Sequence, residues 1–443
     1  MSDLEGKVNP HYLDNVMVVA DDREVQATED IFADNGMKLI AKGKPINRDM
    51  RDRLVERKLR KPLEDCMEIA SGVTGAQCAK AAETLLDKHQ SLRVLCSAPR
   101  FNPIRMLNES VFKGRLQTLL TVYAEHRPNK LEHAVSVALL GLGLAHRVQP
   151  GSADVAQILL TACLCHDVGE LYINPDYLAP GIKLDSQQWR HIAAHPVVAH
   201  RLLKDLPGPC RQASVLVLEH HERLDGFGYP HGRRGADIGL GSQLVGLSEM
   251  LSGLLAFSHT PFTQADIAVK LIPGEFSRAI IDLVSQVSRQ CNEQAAPTVA
   301  VLPQEILLNA AKVARQLSRI EQLNNDLAVR LGKASPAFQA LIVLAKDRFD
   351  RILRAWSSTG LDAHSPDSLA QQEMLRDGDV GREVSMIQRE IVWRLRELER
   401  ELRIRVQNTA PAELPLLEEF FAQLTARRKQ FGLDNAARDA LVQ

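Results

Sequence analysis

Two adjacent histidines, His220 and His221, end the apolar run 213–219, and Asp225, Gly226, Gly228 and Pro230 follow directly. This stretch restricts the fold more than any other. The run reads as a buried helix, and each imidazole carries two nitrogens that need a hydrogen bond or a metal once removed from water. Aspartate, glycine and proline behind them spell a tight loop. A helix end that hands histidines to a stiff loop fixes ligands in space and leaves one side open. We read it as half of a metal site, the other half being His166 and Asp167 upstream.

The histidine distribution supports this. Eleven of the 14 histidines lie between Leu120 and Pro261, a crowding that surface histidines alone would not produce. Imidazole suits zinc, iron, manganese and nickel, and a neighbouring carboxylate such as Asp167 can bridge two ions. Residues 155–166 are apolar on nearly all sides, which marks a buried helix. At its tip, an unpaired Asp167 carboxylate would cost several kcal/mol unless a cation or good hydrogen bonds compensate. Asp185 and Gln188 spell a capping start, and the helix that follows is expected to place His191 and His195 one turn apart on one face. Either could be a ligand by geometry. His133 lies in a helix expected from near Lys130 and is unremarkable by itself.

The segments Cys165-His166-Asp167-Val168-Gly169, Ile173-Asn174-Pro175-Asp176, His195-Pro196, His220-His221-Glu222-Arg223, Asp225-Gly226 and Gly228-Tyr229-Pro230 occur in one order. Together they resemble the HD-GYP phosphodiesterases, a branch of the HD metal-dependent phosphohydrolases. The resemblance covers about residues 107–290. It implies an all-helical domain with metal ligands His133, His166, Asp167, His195, His220 and His221, Asp167 bridging, and His166 and Asp167 at the centre of catalysis. Two divalent ions, iron or manganese, and hydrolysis of cyclic di-GMP to linear pGpG or GMP are implied with it. Gly228, Tyr229 and Pro230 would line the site or dock partners such as GGDEF-type signalling proteins. Arg223 and Asp225 would brace that loop.

The chain departs from the family pattern at four places. Glu170 stands where a lysine usually follows the glycine, reversing a charge beside an anionic substrate. Glu249 replaces an aspartate ligand, one methylene longer. The segment 259–263 lacks the usual arginines, and Asn129 stands where members with three metals have an acid. The resemblance therefore implies two ions at most.

The remaining chain is read from composition and period. With 54 basic against 55 acidic residues, nothing suggests a general nucleic-acid or membrane-surface binder. Seven cysteines without framework spacing point to a reducing compartment. The absence of a signal pattern or an apolar run approaching ~20 residues leads us to expect a cytoplasmic protein. The expected fold is mainly α: a small α/β module over 1–65, a helical connector over 66–106, the HD-GYP-like domain over 107–290 and a helical region over 297–443. In the first module, residues 16–20 and 38–41 read as strands, and a helix from Asn47 would carry Met50, Leu54, Val55 and Leu59. Helices are expected over 70–89 and 111–126. Farther on, 303–331 and 336–356 read as amphipathic helices and 357–381 as a polar linker. Val384, Ile387, Ile391, Leu395, Leu398 and Leu402 form one apolar stripe, suited either to a homodimer or another partner or to packing within the chain on the HD-GYP-like domain.

Overall fold

The computed structural model describes residues 7–150, 152–179, 181–293, 303–330, 334–360, 378–406 and 413–425. Most of the stretch expected as a linker, 361–377, lies outside these residues. At the centre is helix α7 (Lys130–Val148), in which every residue from Ala134 to Leu144 is buried. A helix apolar on all sides belongs in the middle of a core. Around it pack α3 (Gly75–Lys88), α4 (Gln90–Cys96), α6 (Gly114–His126), α8 (Ala153–Cys165) and α12 (Leu240–Phe257). The last is apolar enough over its 18 residues to cross a bilayer by length and composition, closer to a spanning helix than the sequence reading allowed. Here Leu244, Leu247, Leu251 and Leu254 fill the core. The layer that carries the site is completed by α9 (Ser186–Ile192), α10 (His195–Leu203) and α11 (Cys210–Glu219).

The N-terminal segment differs from expectation in several places. Residues 16–20 are not a strand but lie within α1 (Pro10–Asp22). Asn9 accepts from the N–H groups of His11 and Tyr12, and Pro10 opens the helix. That cap and proline decide the matter over a β-branched run. Strand β1 (Val25–Ala27) pairs antiparallel with β4 (Met67–Ile69), Val25 opposite Ile69, while β2 (Ile31–Phe32) pairs with β3 (Lys38–Ile40). Residues 67–69 were expected to be helical. The helix α2 (Arg51–Val55) stops short of Leu59, which instead bridges to Ala33. Helix α3 starts at Gly75 rather than residue 70 because Thr74 and Gln77 form a capping box. Side chains of this segment share one continuous core with the central helices. It also grips the site: Asn9 and Asn15 donate to the carbonyls of Tyr172 and Leu171 at 3.1 Å, and Tyr12 stacks on Tyr172.

The C-terminal helices form a second core. The short α5 (Pro103–Asn108) belongs to the first core, which closes with α13 (Pro261–Leu271) and α14 (Arg278–Cys291). Then α15 (Pro303–Arg330), α16 (Pro336–Ser357), α17 (Gly378–Arg405) and α18 (Leu414–Thr425) pack together. Val384, Ile391, Leu395, Leu398 and Leu402 are buried among them, so the stripe is satisfied within the chain. Phe227 and Ile272 belong to this second core, and α17 lies against α9 and α13. A buried ion network joins the two bodies. Arg394 Nη1 is 2.7 Å from both Glu275 Oε1 and Glu397 Oε2, and Arg348 reaches Asp225 Oδ2 at 2.5 Å and Glu275 Oε1 at 3.2 Å.

Candidate metal centre

Three of the expected ligands hang from helix ends in the same way. His166 follows the last residue of α8, His195 stands three residues past the end of α9, and His220 follows α11. In each, Nδ1–H donates to the carbonyl three residues earlier: Cys163 at 2.8 Å, Ile192 at 2.9 Å and Val217 at 2.5 Å. The last carbonyls of a helix have no partner within it, so each bond satisfies an orphan and fixes the ring. The tautomer that results points the lone pair of Nε2 inward. His166 and His220 thus stand at two helix C-termini, whose partial negative charge favours cations, while His195 also opens α10. His133 reaches the same state differently. Its Nδ1 donates to Ser252 Oγ at 3.2 Å, and Ser252 Oγ–H in turn donates to Ser136 Oγ at 3.0 Å.

The inward atoms converge. His133 Nε2 and His166 Nε2 are 3.2 Å apart, and both face Asp167 Oδ2, at 3.8 and 3.2 Å. The other oxygen, Oδ1, faces His195 Nε2 at 3.4 Å. His195 Nε2 is 3.4 Å from His220 Nε2, and Glu249 offers one oxygen to His220 at 3.6 Å and the other to His221 at 3.7 Å. Three triads, His133-His166-Asp167, His195-His220-His221 and Asp167-His220-Glu249, each bring their ligand atoms within 4.8 Å of one another. Nitrogen and carboxylate donors in this arrangement could hold divalent ions.

Charge in the cluster agrees with that role. Burial holds His133 down to about 4 and lowers His195, while burial and neighbouring histidines lower His220 and His221 further. Neutral imidazole is the ligand form. His166 goes the other way, to about 9, because Asp167 outweighs the effect of burial. Burial and the charge of Asp167 push Glu249 up to about 8. Without a cation the cluster balances the Asp167 charge with its own protons, on His166 and Glu249, and a bound cation would release those protons.

Two glycines make the convergence possible. A Cβ on Gly169 would lie 2.1 Å from the carbonyl oxygen of His195, and one on Gly246 equally close to that of His220. The turn after Asp167 and helix α12 therefore touch the ligand backbones directly.

His191 and His195 are not on one helix face: α9 ends at Ile192, and His191 sits against Tyr177 and His11 outside the cluster. His200 bonds the carbonyl of Ser214. Arg223 Nη1 holds the carbonyls of His220 and Glu222 at 3.1 and 3.0 Å, and Asp225 accepts from the N–H of Phe227 at 3.1 Å. Tyr229 stacks on His221 with centroids 4.5 Å apart. The loop does not face outward as a docking surface. Phe227 and Tyr229 are buried, and Arg405 of α17 donates to the carbonyls of Gly226 and Gly228 at 3.2 and 2.6 Å. Sequence reasoning missed Lys130, whose Nζ contacts Glu170 Oε2 and lies 4.0 Å from Asp167 Oδ2. It also missed Glu222, which accepts from the N–H groups of His231 at 2.7 Å and Arg233 at 2.9 Å. An acid directly after the histidine pair was the available signal.

Residues 124–266 match the family model described as HD domain. A 3'3'-cGAMP-specific phosphodiesterase of Vibrio cholerae is 28% identical over 180 residues, 40% of this chain and 37% of that one. A cyclic di-GMP phosphodiesterase of Pseudomonas aeruginosa is 36% identical over 112 residues, 24% of this chain and 26% of that one. The matches thus span well under half the length of these relatives. The solved structure of an HDG"Y"P protein from Bdellovibrio bacteriovorus is aligned over 60% of this chain and 95% of that one, at 15% identity and a TM-score of 0.32.

Proposed function

We propose, from the premise that residues 124–266 are an HD domain of the HD-GYP type, that the chain is a metal-dependent phosphodiesterase acting on cyclic dinucleotides, cyclic di-GMP first among them. One observation supports it most: the Asp167 carboxylate divides its oxygens between two sets of histidines, Oδ2 toward His133 and His166, Oδ1 toward His195. That is the layout of a bridging ligand. The donor set suits iron or manganese, two ions in all. When bound, such ions supply the positive charge that acidifies water and offsets charge developing on phosphate oxygens.

The chain's own residues do the rest. His133 and His166 would hold one ion with Asp167, and His195, His220 and His221 the other, with Glu249 beside it. The carbonyl bonds to Nδ1 keep the rings oriented through turnover. Burial of the cluster, with His166 at 0% and His220 at 1% exposure, keeps water away from all but the open side. The expected product is linear pGpG or GMP.

The test is turnover by protein purified without oxygen and loaded with iron or manganese, with cyclic di-GMP and 3'3'-cGAMP compared and products separated by chromatography. Product from wild type that vanishes in His166→Ala and Asp167→Ala is the expected result. Turnover and metal that both survive those substitutions would contradict the assignment.

A second reading, a signalling module that binds metal or cyclic dinucleotide without hydrolysing it, is favoured by the Glu170 carboxylate at the centre. Its charge consumes that of Lys130, which would otherwise be open to a phosphate. Metal-replete protein that binds cyclic di-GMP and forms no product would select this reading.

A further inference from the structure

Cations stand on several sides of the donor cluster, and most are committed. Lys130 is paired with Glu170. Arg223 uses Nη1 on two carbonyls, faces the buried Glu275 with Nε at 3.7 Å and lies over the Phe276 ring. Arg400, on α17, is held more loosely, by ion-pair and ring contacts without the carbonyl bonds that Arg223 makes. Its acidic neighbours have closer partners: Glu397 Oε2 is 2.7 Å from Arg394 Nη1, and Glu401 Oε2 is 2.6 Å from Arg405 Nη1. The other oxygen of each, Oε1, faces Arg400 Nη2 at 3.5 Å for Glu397 and 3.7 Å for Glu401. Its Nε is buried with no hydrogen-bond partner among the described residues. The guanidinium lies 5.9 Å from the ring centroids of both Trp189 and Tyr229, and Tyr229 is the ring stacked on His221. Its side chain is 12% exposed, and its route to the donor cluster runs through the Tyr229 ring.

We propose that Arg400 is a phosphate-binding residue of the centre, so that helix α17 contributes a side chain to the site and the binding unit extends beyond residues 124–266 into the C-terminal bundle. This rests on the phosphodiesterase reading. A guanidinium is a planar fork that fits a phosphate with two parallel hydrogen bonds, and a buried N–H without an acceptor gains most from one. Segment 259–263, which follows the helix of Glu249, contains no arginine. The position of Arg400 is held from both sides. Five residues on, Arg405 is bonded to the carbonyls of Gly226 and Gly228; earlier on the helix, Arg394 is buried in the ion network. The Trp189 and Tyr229 rings limit the guanidinium's swing.

The experiment uses the full chain loaded with manganese, as wild type, Arg400→Met and Arg400→Lys. Binding of inorganic phosphate is read from manganese-induced broadening of its phosphorus resonance, and cyclic di-GMP kinetics are measured beside it. Arg400→Met should keep its manganese and bind phosphate about tenfold or more weakly, the loss expected for a charge-assisted hydrogen bond. KM should rise by a similar factor with a smaller change in kcat, and Arg400→Lys should recover part of both. Wild-type phosphate affinity in manganese-replete Arg400→Met overturns the proposal. If that variant loses manganese or its fold, Arg400→Lys decides, since it keeps the charge and removes the fork: unchanged affinity and KM there also overturn it. Phosphate binding that depends on Arg400, without turnover of any cyclic dinucleotide, would defeat the phosphodiesterase reading and leave this assignment standing. Turnover with a KM indifferent to position 400 would do the reverse.

Discussion

At the scale of single residues, the centre is built from one repeated device, a histidine whose Nδ1 is tied to the carbonyl three residues back. The ligand types were legible in the sequence because buried histidines and an aspartate at helix ends demand partners. The device itself was not, since it depends on where each helix stops. Glu170 was legible as a reversed charge but not as half of a pair, because nothing in the sequence connects position 170 to position 130. With Lys130 in place, Glu170→Lys would set two ammonium groups together beside buried surroundings. That single change should cost about 3–5 kcal/mol, the range for an uncompensated buried charge, and Glu170→Lys with Lys130→Glu should recover most of it. Urea unfolding of the two singles and the double checks this, and effects that simply add would show that the pair does not interact.

At the scale of elements, helices with an unbroken apolar period were the most legible. Helix α7 begins at Lys130 as the pattern requires, and α17 buries the stripe read from Val384 to Leu402. The failures were local contests of propensity. Residues 16–20 are rich in valine and look like a strand, yet Asn9 and Pro10 start a helix ahead of them. His191 and His195 looked like one face because the break after Ile192 carries no proline or glycine before it. What the period could not reveal is what the polar faces meet. Arg394, almost fully buried, lies between Glu275 and Glu397 and ties α17 to the segment before α14. Arg394→Met should destabilise the protein by about 3–5 kcal/mol by leaving those carboxylates unpaired. Adding Glu275→Gln should return a good part of that loss. Thermal unfolding of the two singles and the double measures the coupling, and a double variant no more stable than Arg394→Met would show that Glu275 is not what Arg394 compensates.

At the scale of the whole molecule, the histidine and carboxylate cluster lies between three supports. The N-terminal helix holds the turn after Asp167, the central helices carry the ligands, and α17 holds the Gly-Tyr-Pro loop by its carbonyls. The sequence divided the chain into modules by composition. It could not show that the first module shares the central core, or that the last one covers the signature loop, because those contacts join residues far apart in the chain. The loop that looked suited to docking other proteins is occupied by its own C-terminal helix. If the seven converging side chains are a place for metal, Asp167 stands between two ions. The most direct test is the metal content of protein purified without oxygen, wild type against Asp167→Ala. About two ions of iron or manganese per wild-type chain, with the bound metal lost from a folded Asp167→Ala, is the predicted result. A wild-type chain that takes up neither metal, or an Asp167→Ala variant that keeps both ions, would contradict it.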